Sequence, residues 1–338
     1  MSPAPPVQYV RTSDGVRIAY SVSGAGRPLL VLGPALGGMA LWWHFAPRWM
    51  EGLAGRFQLI QHDMYGHGMS ERGLPLDFAM GVDEKAIDAV VDRLELDRFI
   101  LFGLGGVGHV GVRYAAAHPE RVEALILNGT TVSVAAPSFY AGVAAENWEF
   151  FLRSFVPASV GPEEAQRWYE ILRDSTTYAD WQIRSPVVSA STITDSLAAV
   201  RVPTLALHAA GRALVPSEGA VRLAALIAGA QLVILSGDHP LGDPAEGLSA
   251  IDGFLAKLPS FSPGVAPAGT KSSIAVRGLS PRQREVLALI AQGKTNREIA
   301  EALVLSERTV QRHIADLYLK IDVRNRAEAT SFALSRPG

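Results

Sequence analysis

Two different spacings of apolar residues divide this chain into two parts. In the first part, short apolar runs of strand length occur at 28–33, 57–62, 99–102, 122–127, 204–208 and 231–235. Segments with amphipathic helical spacing alternate with these runs, at 83–94, 107–118, 218–227 and 245–257. This alternation predicts a mostly parallel sheet that is covered by helices on both faces. Beyond residue 278 only helical spacing remains, and it predicts four short helices.

The composition supports a division into two domains joined by a linker. Residues 259–273 are rich in Pro, Gly and Ser, which predicts a semi-flexible linker between a large domain, 1–258, and a small one, 274–338. From Lys271 onward the chain has 12 Lys and Arg against 7 Asp and Glu, whereas the remainder has 19 against 26. A basic tail on an acidic body favours a small domain that contacts phosphate.

Several classes of chemistry are disfavoured by the residues present. The chain has no cysteine, so it offers neither a disulfide framework nor a thiolate metal site. Its histidines lack metal-ligand spacing, and the glycines at 103–108 lack the acidic residue of a dinucleotide site, so we expect no metal and no cofactor. The first residues lack the pattern of a signal peptide, and no run of about 20 residues is apolar enough to span a bilayer. We therefore expect a cytoplasmic protein without a membrane partner.

The small domain shows three apolar stripes at helical spacing. They comprise Leu287, Ile290 and Ala291, then Ile299, Ala300 and Leu303, and finally Val310, Ile314 and Leu317. Ser306 precedes the last stripe as an N-cap, and Gln311, Arg312 and Ala315 fall on the opposite face of that helix. The segment resembles the LuxR-type (GerE-like) helix-turn-helix, whose marks stand at Leu279, Glu285, Val286, Leu287, Gly293, Asn296, Ile299, Ala300, Leu303, Ser306, Thr309, Val310, His313, Lys320 and Arg326.

This resemblance implies that the small domain binds double-stranded DNA. Helix geometry then assigns base recognition to Arg312 and Gln311, while Ala315 meets a thymine methyl group or leaves room. The residues expected to position the phosphate backbone are Thr295, Asn296, Arg308, Thr309 and Lys320. The final helix, 324–334, resembles the dimerisation helix of the family, so a homodimer on a pseudo-palindromic site is expected.

Four segments of the large domain occur in a characteristic order: HDMYGHGMS at 62–70, AAAHPERVEALIL at 115–127, VPTLALH at 202–208 and SGDHPLGDP at 236–244. Together they resemble the landmarks of the α/β-hydrolase fold. The resemblance implies a helical cap inserted at about 133–200. The expected fold is therefore an α/β-hydrolase domain with a helical cap, followed by a small all-α LuxR-type helix-turn-helix domain.

Within this resemblance, the residues of a hydrolytic triad are largely replaced. The nucleophile elbow, G-x-S-x-G, belongs in FILFGLGGVGHVG at 99–111, where Gly105 occupies the serine position and Val107 the last glycine. Glycine has no hydroxyl, so no acyl-enzyme can form on it. The aspartate position aligns with Arg212, which cannot accept the ring N–H of a histidine. His239 stands at the position of the family histidine, and Asp238 is its nearest carboxylate in sequence.

The oxyanion hole is altered as well. Pro34 follows Gly33 in the loop that provides the second donor, and proline has no N–H. In an alternative register Ala35 supplies that N–H, and Gly106 provides the other. We therefore predict that the domain is not an esterase.

The cap region is rich in aromatic residues that are able to line an apolar pocket. The expected ligand-binding residues are Pro34, Ala35, Gly105, Gly106, Trp148, Phe151, Trp168, Trp181 and His239. The alternative is that the aromatic side chains only pack the cap onto the sheet.

These features lead to one principal hypothesis and two alternatives. The principal hypothesis is a one-component transcriptional regulator, in which a catalytically inactive α/β-hydrolase-like domain senses a small, largely apolar effector. The first alternative is an active hydrolase or lyase that uses His239 as a base and is fused to a DNA-binding domain. The second is a DNA-binding protein whose large domain only dimerises. A residue with a nucleophilic side chain at position 105 would favour the first alternative, and glycine disfavours it.

Overall fold

The structure is a computed structural model of the 338-residue chain. It describes residues 5–33, 36–74, 81–133, 138–156, 161–182, 193–210, 217–237, 239–258, 285–287, 289–290 and 294–303, and also residues 310, 314 and 317. The chain divides into two compact units, Met1–Gly264 and Val265–Gly338.

The first unit is built on an eight-stranded sheet of order β1-β2-β4-β3-β5-β6-β7-β8. Its strands are β1 Val7–Arg11, β2 Arg17–Ser23, β3 Pro28–Leu32, β4 Gln58–His62, β5 Phe99–Leu104, β6 Val122–Asn128, β7 Thr204–Ala209 and β8 Gln231–Leu235. β1 pairs antiparallel with β2, and β2 pairs antiparallel with β4. The remaining pairs are parallel, so the carboxyl ends of β3 to β8 lie at one edge of the sheet.

Helices connect the strands and cover the sheet. In the first unit they are α1 Gly38–Phe45, α2 Pro47–Ala54, α3 Val82–Arg93, α4 Gly108–Ala117, α5 Ser138–Glu146, α6 Trp148–Arg153, α7 Pro162–Ser175, α8 Thr194–Ala199, α9 Ser217–Leu226 and α10 Pro244–Leu255. Helices α5 to α8 lie between β6 and β7, and residues 138–156, 161–182 and 193–200 form the described part of the cap. Among the described residues, none of the helices is both long enough and apolar enough to cross a membrane.

Alternating side chains of the strands build a separate apolar core on each face of the sheet. In β3, for example, Leu30 and Leu32 belong to the core on one face, whereas Leu29 and Val31 belong to the core on the other. This two-sided burial explains why the parallel strands appear in the sequence as continuous apolar runs.

In the first unit, the six predicted strands and the four predicted amphipathic helices are all present, and their ends are shifted by no more than two residues. The prediction did not include β1 and β2. These two strands are antiparallel and lie toward one edge of the sheet, and β1 is largely exposed, so its sequence lacks a continuous apolar run. Helices α1 and α2 were not predicted either, because Gly, Trp and Pro interrupt the helical pattern between 37 and 47.

The second unit has its own apolar core. Val286, Leu287, Ile290, Ile299, Ala300, Val310, Ile314 and Leu317 are buried together. This confirms the inward-facing stripe of Val310, Ile314 and Leu317, whereas Ala291 lies outside the described residues. Helix α11, Asn296–Leu303, carries the second stripe.

Candidate functional site

A tight turn joins β5 to α4 at the carboxyl edge of the sheet. β5 ends at Leu104, a 3₁₀ turn spans Gly105–Val107, and α4 begins at Gly108. Gly105 has a φ of 52°, in the left-handed region that side chains disfavour. The hydroxyl of Thr130, just after β6, donates to the Gly105 carbonyl oxygen at 2.9 Å. A strand, a tight turn and a helix thus meet at Gly105, as the predicted nucleophile elbow requires, and Gly105 itself has no side chain.

Close backbone packing fixes the shape of the turn. A Cβ atom on Gly103 would lie 2.8 Å from the Cα of Gly108, and a Cβ on Gly108 would collide with the side chain of Thr130. Strand and helix therefore approach more closely than larger residues allow. Val107 stands where the fingerprint has its last glycine, and its side chain is buried.

His239 follows β8 at the same edge of the sheet, and backbone groups occupy both of its ring nitrogens. The Leu241 N–H donates to Nδ1 at 3.1 Å, so Nδ1 must carry a lone pair. The ring proton is then on Nε2, which donates to the Phe45 carbonyl oxygen at 3.1 Å. A triad histidine uses the opposite tautomer, with Nδ1–H toward the acid and the Nε2 lone pair toward the nucleophile.

The electrostatic environment favours a neutral ring at His239. Burial lowers its pKa, and the hydrogen bond to Phe45 opposes that shift only in part. His109, near the start of α4, is also buried, and burial lowers its pKa as well. Its Nε2 lies 2.7 Å from the Thr131 carbonyl oxygen. Both histidines are thus held as uncharged hydrogen-bonding groups.

Phe45, the last residue of α1, links His239 to the cap. Its ring lies 4.5 Å from the ring of His239 and 5.0 Å from that of Trp168, measured between centroids. The rings of Trp168 and His44 form a T-shaped pair at 5.9 Å between centroids, and the His44 Nε2 lies 2.8 Å from a carboxylate oxygen of Glu164. Phe45 is therefore the residue through which α1, the histidine loop and α7 meet.

The remaining predicted pocket aromatics form a cluster within the cap. Trp148 stacks on Phe151 at 5.1 Å, and the ring of Trp181 lies 5.0 Å from Phe151 and 5.8 Å from Trp148. Phe151 and Trp168 are buried, with 2% and 6% of their surface exposed, while Trp148 and Trp181 are half-buried. Trp148, Phe151 and Trp181 therefore pack against one another.

Hydrogen bonds fasten the end of α7 to loops of the sheet domain. The hydroxyl of Ser175 accepts from the Gly37 N–H at 2.9 Å, and its carbonyl accepts from the Gly68 N–H at 2.6 Å. The carboxylate of Asp180 accepts from the Gly73 N–H at 2.8 Å. These bonds fix the carboxyl-terminal half of the cap beside the loop that precedes α1.

Asp63 follows β4 and braces two turns of the backbone. One carboxylate oxygen accepts from the Met39 N–H at 2.6 Å and the other from the Met69 N–H at 2.7 Å. Burial raises its pKa to about 6, although both hydrogen bonds act in the other direction. Its contacts are those of a structural carboxylate that holds the start of α1 against the 63–70 turn.

In the second unit, Thr295 caps helix α11. Its hydroxyl donates to the Glu298 carboxylate at 3.0 Å, and its backbone N–H donates to the same oxygen at 2.7 Å. The Glu298 N–H donates back to the Thr295 hydroxyl at 3.3 Å, which completes a reciprocal capping box. Asn296 is the first residue of the helix. Thr295, predicted to contact phosphate, thus has a capping role in the structure.

Other predicted site residues lie outside the described part of the chain. They are Pro34, Ala35 and Arg212 in the first unit and Arg308, Thr309, Gln311, Arg312, Ala315 and Lys320 in the second. Gly106 is described and half-buried, directly after Gly105. The described residues contain no group of three His, Asp or Glu side chains that is able to hold a metal ion.

Residues 28–198 match the alpha/beta hydrolase fold family, which is just over half of the chain. The chain belongs to this family. Its hydrolase-fold domain is similar to the crystal structure of a hydrolase from Pseudomonas aeruginosa PA01, with 25% identity and a TM-score of 0.63 over 75% of this chain and 99% of that one. It is also 33% identical over 118 residues to 2-hydroxymuconate semialdehyde hydrolase of Pseudomonas sp. (strain CF600), covering 34% of this chain and 41% of that protein.

The carboxyl-terminal segment matches a different family. Residues 277–333 match the bacterial regulatory proteins of the luxR family. Over 55 residues the chain is 46% identical to the transcriptional regulatory protein LiaR of Bacillus subtilis (strain 168), covering 16% of this chain and 26% of that protein. The chain spans less than half the length of the curated relatives that it matches. A hydrolase-fold domain is therefore joined to a luxR-family domain.

Sequence reasoning missed Phe45, Ser175 and Asp180, which organise the site through backbone contacts. The letters WWHFAP around Phe45 indicated only aromatic density beside the oxyanion loop. The serine and the aspartate stand in a polar stretch with no recognisable motif. No local pattern could have identified them, because their partners are more than 100 residues away in sequence.

Proposed function

We propose that the chain is a one-component transcriptional regulator. Its luxR-family domain binds double-stranded DNA as a homodimer, and its hydrolase-fold domain binds a small, largely apolar effector without turning it over. The observation that carries this proposal is Gly105, which has the elbow backbone at a φ of 52° but no nucleophilic side chain. Effector binding then changes the population of DNA-competent dimers.

The bonds of His239 support the absence of turnover. A general base needs a free lone pair directed at the group it deprotonates. Here Nε2 carries the proton and donates it to the Phe45 carbonyl, while Nδ1 is occupied by the Leu241 N–H. A catalytic role would require the ring to break two hydrogen bonds and change tautomer. Arg212, at the aligned acid position, remains a sequence-based prediction.

We place the effector between the Gly105 turn, His239 and the cap. The proposed lining is Pro34, Ala35, Gly105, Gly106, Trp148, Phe151, Trp168, Trp181 and His239. The lack of a serine side chain leaves room at the turn, and the Gly106 N–H or His239 is available for one polar group. Because Phe151 and Trp168 are already packed by neighbouring side chains, Phe45 is a further candidate for contact with the effector.

A thermal-shift screen against small apolar metabolites tests the effector site, since a ligand that binds only the folded state raises the melting temperature. A hit should lose its effect in Gly105→Phe, which fills the turn. Gly105→Ala is the matched control, because it imposes the same left-handed backbone strain with far less volume. A ligand response that survives in Gly105→Phe, with the fold intact, would contradict the proposed position of the site.

The second part of the proposal concerns DNA. Buried Val310, Ile314 and Leu317 support a helix whose opposite face carries Gln311, Arg312 and Ala315 in the sequence. We propose that Arg312 and Gln311 read bases, and that Asn296, Arg308, Thr309 and Lys320 contact phosphates. Thr295 contributes mainly through its cap on α11. The final helix, 324–334, joins two copies on a pseudo-palindromic site.

Selection on randomised duplexes tests this assignment. Arg312→Ala should relax preference at one position in each half-site, at a cost of about 1–3 kcal/mol of discrimination. Lys320→Ala should weaken binding to all sequences and reduce its salt dependence. Unaltered sequence preference in Arg312→Ala would show that the helix docks in a different register.

A working hydrolase is the second candidate function. The 33% identity to 2-hydroxymuconate semialdehyde hydrolase favours it, as does the hydrolase fold itself. In this reading His239 acts as a base without a serine. Turnover by the unmodified protein that disappears in His239→Ala would support this candidate and overturn the non-catalytic one.

A further inference from the structure

Two buried polar groups of the hydrolase-fold domain have no hydrogen-bond partner among the described residues. One is the indole N–H of Trp42 on α1, a residue that is only 4% exposed. The other is the side-chain oxygen Oδ1 of Asn128, the last residue of β6, which is fully buried. Burying a donor or an acceptor without a partner is unfavourable, so most such groups in folded proteins are paired.

Trp42 differs in this respect from the two other tryptophans on α1 and α2. The Trp43 indole N–H donates to the Gln61 Oε1 at 2.8 Å. The Trp49 indole N–H donates to the Gly242 carbonyl oxygen at 3.2 Å. A buried tryptophan usually finds such an acceptor, because its ring is apolar but its N–H is a donor. The unmatched N–H is therefore a property of position 42 and not of the two helices.

A hydrogen bond fixes the orientation of the Asn128 amide. Its Nδ2 donates to the Leu241 carbonyl oxygen at 3.1 Å, so Oδ1 is the atom that lacks a partner. The reverse assignment of nitrogen and oxygen would set two oxygens against each other. On the neighbouring strand Asn128 pairs in register with Leu104, the residue that directly precedes Gly105. The unmatched acceptor is thus one strand away from the Gly105 turn.

The two unmatched groups lie on the same face of the sheet. Trp42 belongs to the core on that face, together with Ala124 and Ile126 of β6. Because side chains alternate along a strand, the side chain of Asn128 is on this face as well.

Both groups also border the loop that carries His239. The ring of Trp42 lies 5.9 Å from that of Phe45, whose ring is 4.5 Å from the ring of His239. On the other side, the carbonyl of Leu241 binds Asn128, and the N–H of Leu241 donates to His239. The donor and the acceptor are therefore connected to the proposed effector site through direct contacts.

A hydroxyl group matches this donor and this acceptor, since it accepts one hydrogen bond and donates another. A carboxylate accepts from the Trp42 N–H but has no proton for the Asn128 oxygen, and an ammonium group has no lone pair for Trp42. The surroundings are apolar, because Leu104 and Leu241 are buried in the same core. An ionised group would lose its hydration there, so the matching ligand is uncharged.

We propose that Trp42 and Asn128 form a polar subsite for an uncharged hydroxyl group. The indole N–H donates to the hydroxyl oxygen, and Oδ1 of Asn128 accepts from the hydroxyl proton. The assignment of this hydroxyl to the effector rests on the proposed function, and it makes the effector an alcohol or a phenol. Water offers the same donor and acceptor, and the experiment separates these two sources.

Nitrogen–proton NMR of the indole groups tests the subsite in the full chain. The chain has six tryptophans, and Trp42→Phe identifies the Trp42 signal by its loss. Phenol is the probe, and toluene is the control, because it has the same shape without the hydroxyl. Phenol should move the Trp42 signal downfield, as a new hydrogen bond does, and leave the signals of Trp43 and Trp49 in place. Toluene should not move the Trp42 signal downfield.

The affinity for phenol tests each of the two hydrogen bonds separately. Anisole should bind about fivefold more weakly than phenol, because its oxygen accepts from Trp42 but has no proton for Asn128. Trp42→Phe should weaken phenol binding by about fivefold, since it removes the donor. Trp43→Phe, the same change on the same helix, should leave the affinity for phenol unchanged.

Two results would overturn the proposal. One is a Trp42 signal that phenol leaves in place, which is the result expected if water holds the subsite permanently. The other is equal binding of phenol and anisole in wild type together with an unchanged phenol affinity in Trp42→Phe.

The subsite and the proposed function can fail separately. A Trp42 response to phenol in a protein that binds no DNA would contradict the regulator and leave the subsite in place. DNA binding without a Trp42 response would support the regulator and overturn the subsite. A Trp42 response that persists in Gly105→Phe would keep the subsite and contradict the proposed position of the effector.

Discussion

The turn at Gly105 and the loop at His239 follow two strands at the same edge of one sheet, and they differ in what each presents there. The Gly105 turn has a left-handed backbone, with a φ of 52°, and no side chain at that residue. The His239 loop keeps the functional group but directs both ring nitrogens to backbone partners. Under the proposed function, the first loop keeps the shape of a hydrolytic site without its chemistry, and the second keeps the residue type without the geometry.

The backbone around these two loops is held by buried hydrogen bonds, such as those that Asp63 accepts, so removing them should lower the stability of the fold. At pH 4, Asp63→Asn should lower the free energy of unfolding by about 1–3 kcal/mol, since the amide nitrogen cannot accept from either buried N–H donor, whereas the hydroxyl oxygen of the protonated acid can. Asp174→Asn is the control, because Asp174 is exposed and the change should stay within about 0.5 kcal/mol. Denaturant unfolding of both variants measures the difference.

The stability difference between wild type and Asp63→Asn should also depend on pH. The pKa of Asp63 is raised to about 6, so between about pH 4 and 6 the folded chain holds a proton that the unfolded chain releases. Stability from this group is present below pH 4 and lost as the pH rises through 6. The gap between wild type and Asp63→Asn should therefore narrow from pH 4 to pH 7. A gap that widens would show that the Asp63 pKa is lowered instead.

Close packing beside the Gly105 turn should require glycine at position 108. Gly108→Ala should cost about 1–3 kcal/mol, because the new methyl group meets the side chain of Thr130. Gly253→Ala in α10 is the matched control, since nothing lies within 4 Å of its new Cβ, and it should raise stability by about 0.5–1 kcal/mol. Equal effects of the two substitutions would contradict the close packing of strand and helix.

The sequence was sufficient to predict the parallel sheet and the tight turn between β5 and α4, because both depend on local patterns. Buried parallel strands give continuous apolar runs, and the glycines at 103 and 105, near and just after the end of β5, indicate the position of the turn. The sequence was insufficient to predict the hydrogen-bond partners of the His239 ring. The bonds to Phe45 and Leu241 depend on where α1 ends relative to the β8 loop, and that distance is a property of the packed fold. The edge strand β1 was not predicted for a related reason: most of its residues are exposed, so its sequence has no continuous apolar run.

The smallest predicted effect concerns the protonation of His239. Because its pKa is lowered, the unfolded chain takes up a proton at this residue before the folded chain does as the pH falls. The stability contributed by the neutral ring is present above pH 6.5 and is lost below it, so wild type should lose stability relative to His239→Gln on acidification. Nitrogen NMR of labelled histidine should show the Nε2–H tautomer at neutral pH. An Nδ1–H tautomer would contradict the hydrogen-bond assignment.

Hydrolysis of a simple aryl ester tests the central claim most directly, namely that the site binds without turnover. We expect the purified protein to give no rate above the uncatalysed background, and Gly105→Ser alone to restore little, because His239 would still hold its proton on Nε2 toward Phe45. The control is His239→Ala, which should match wild type within error. Turnover by the unmodified chain that is lost in His239→Ala would contradict the account.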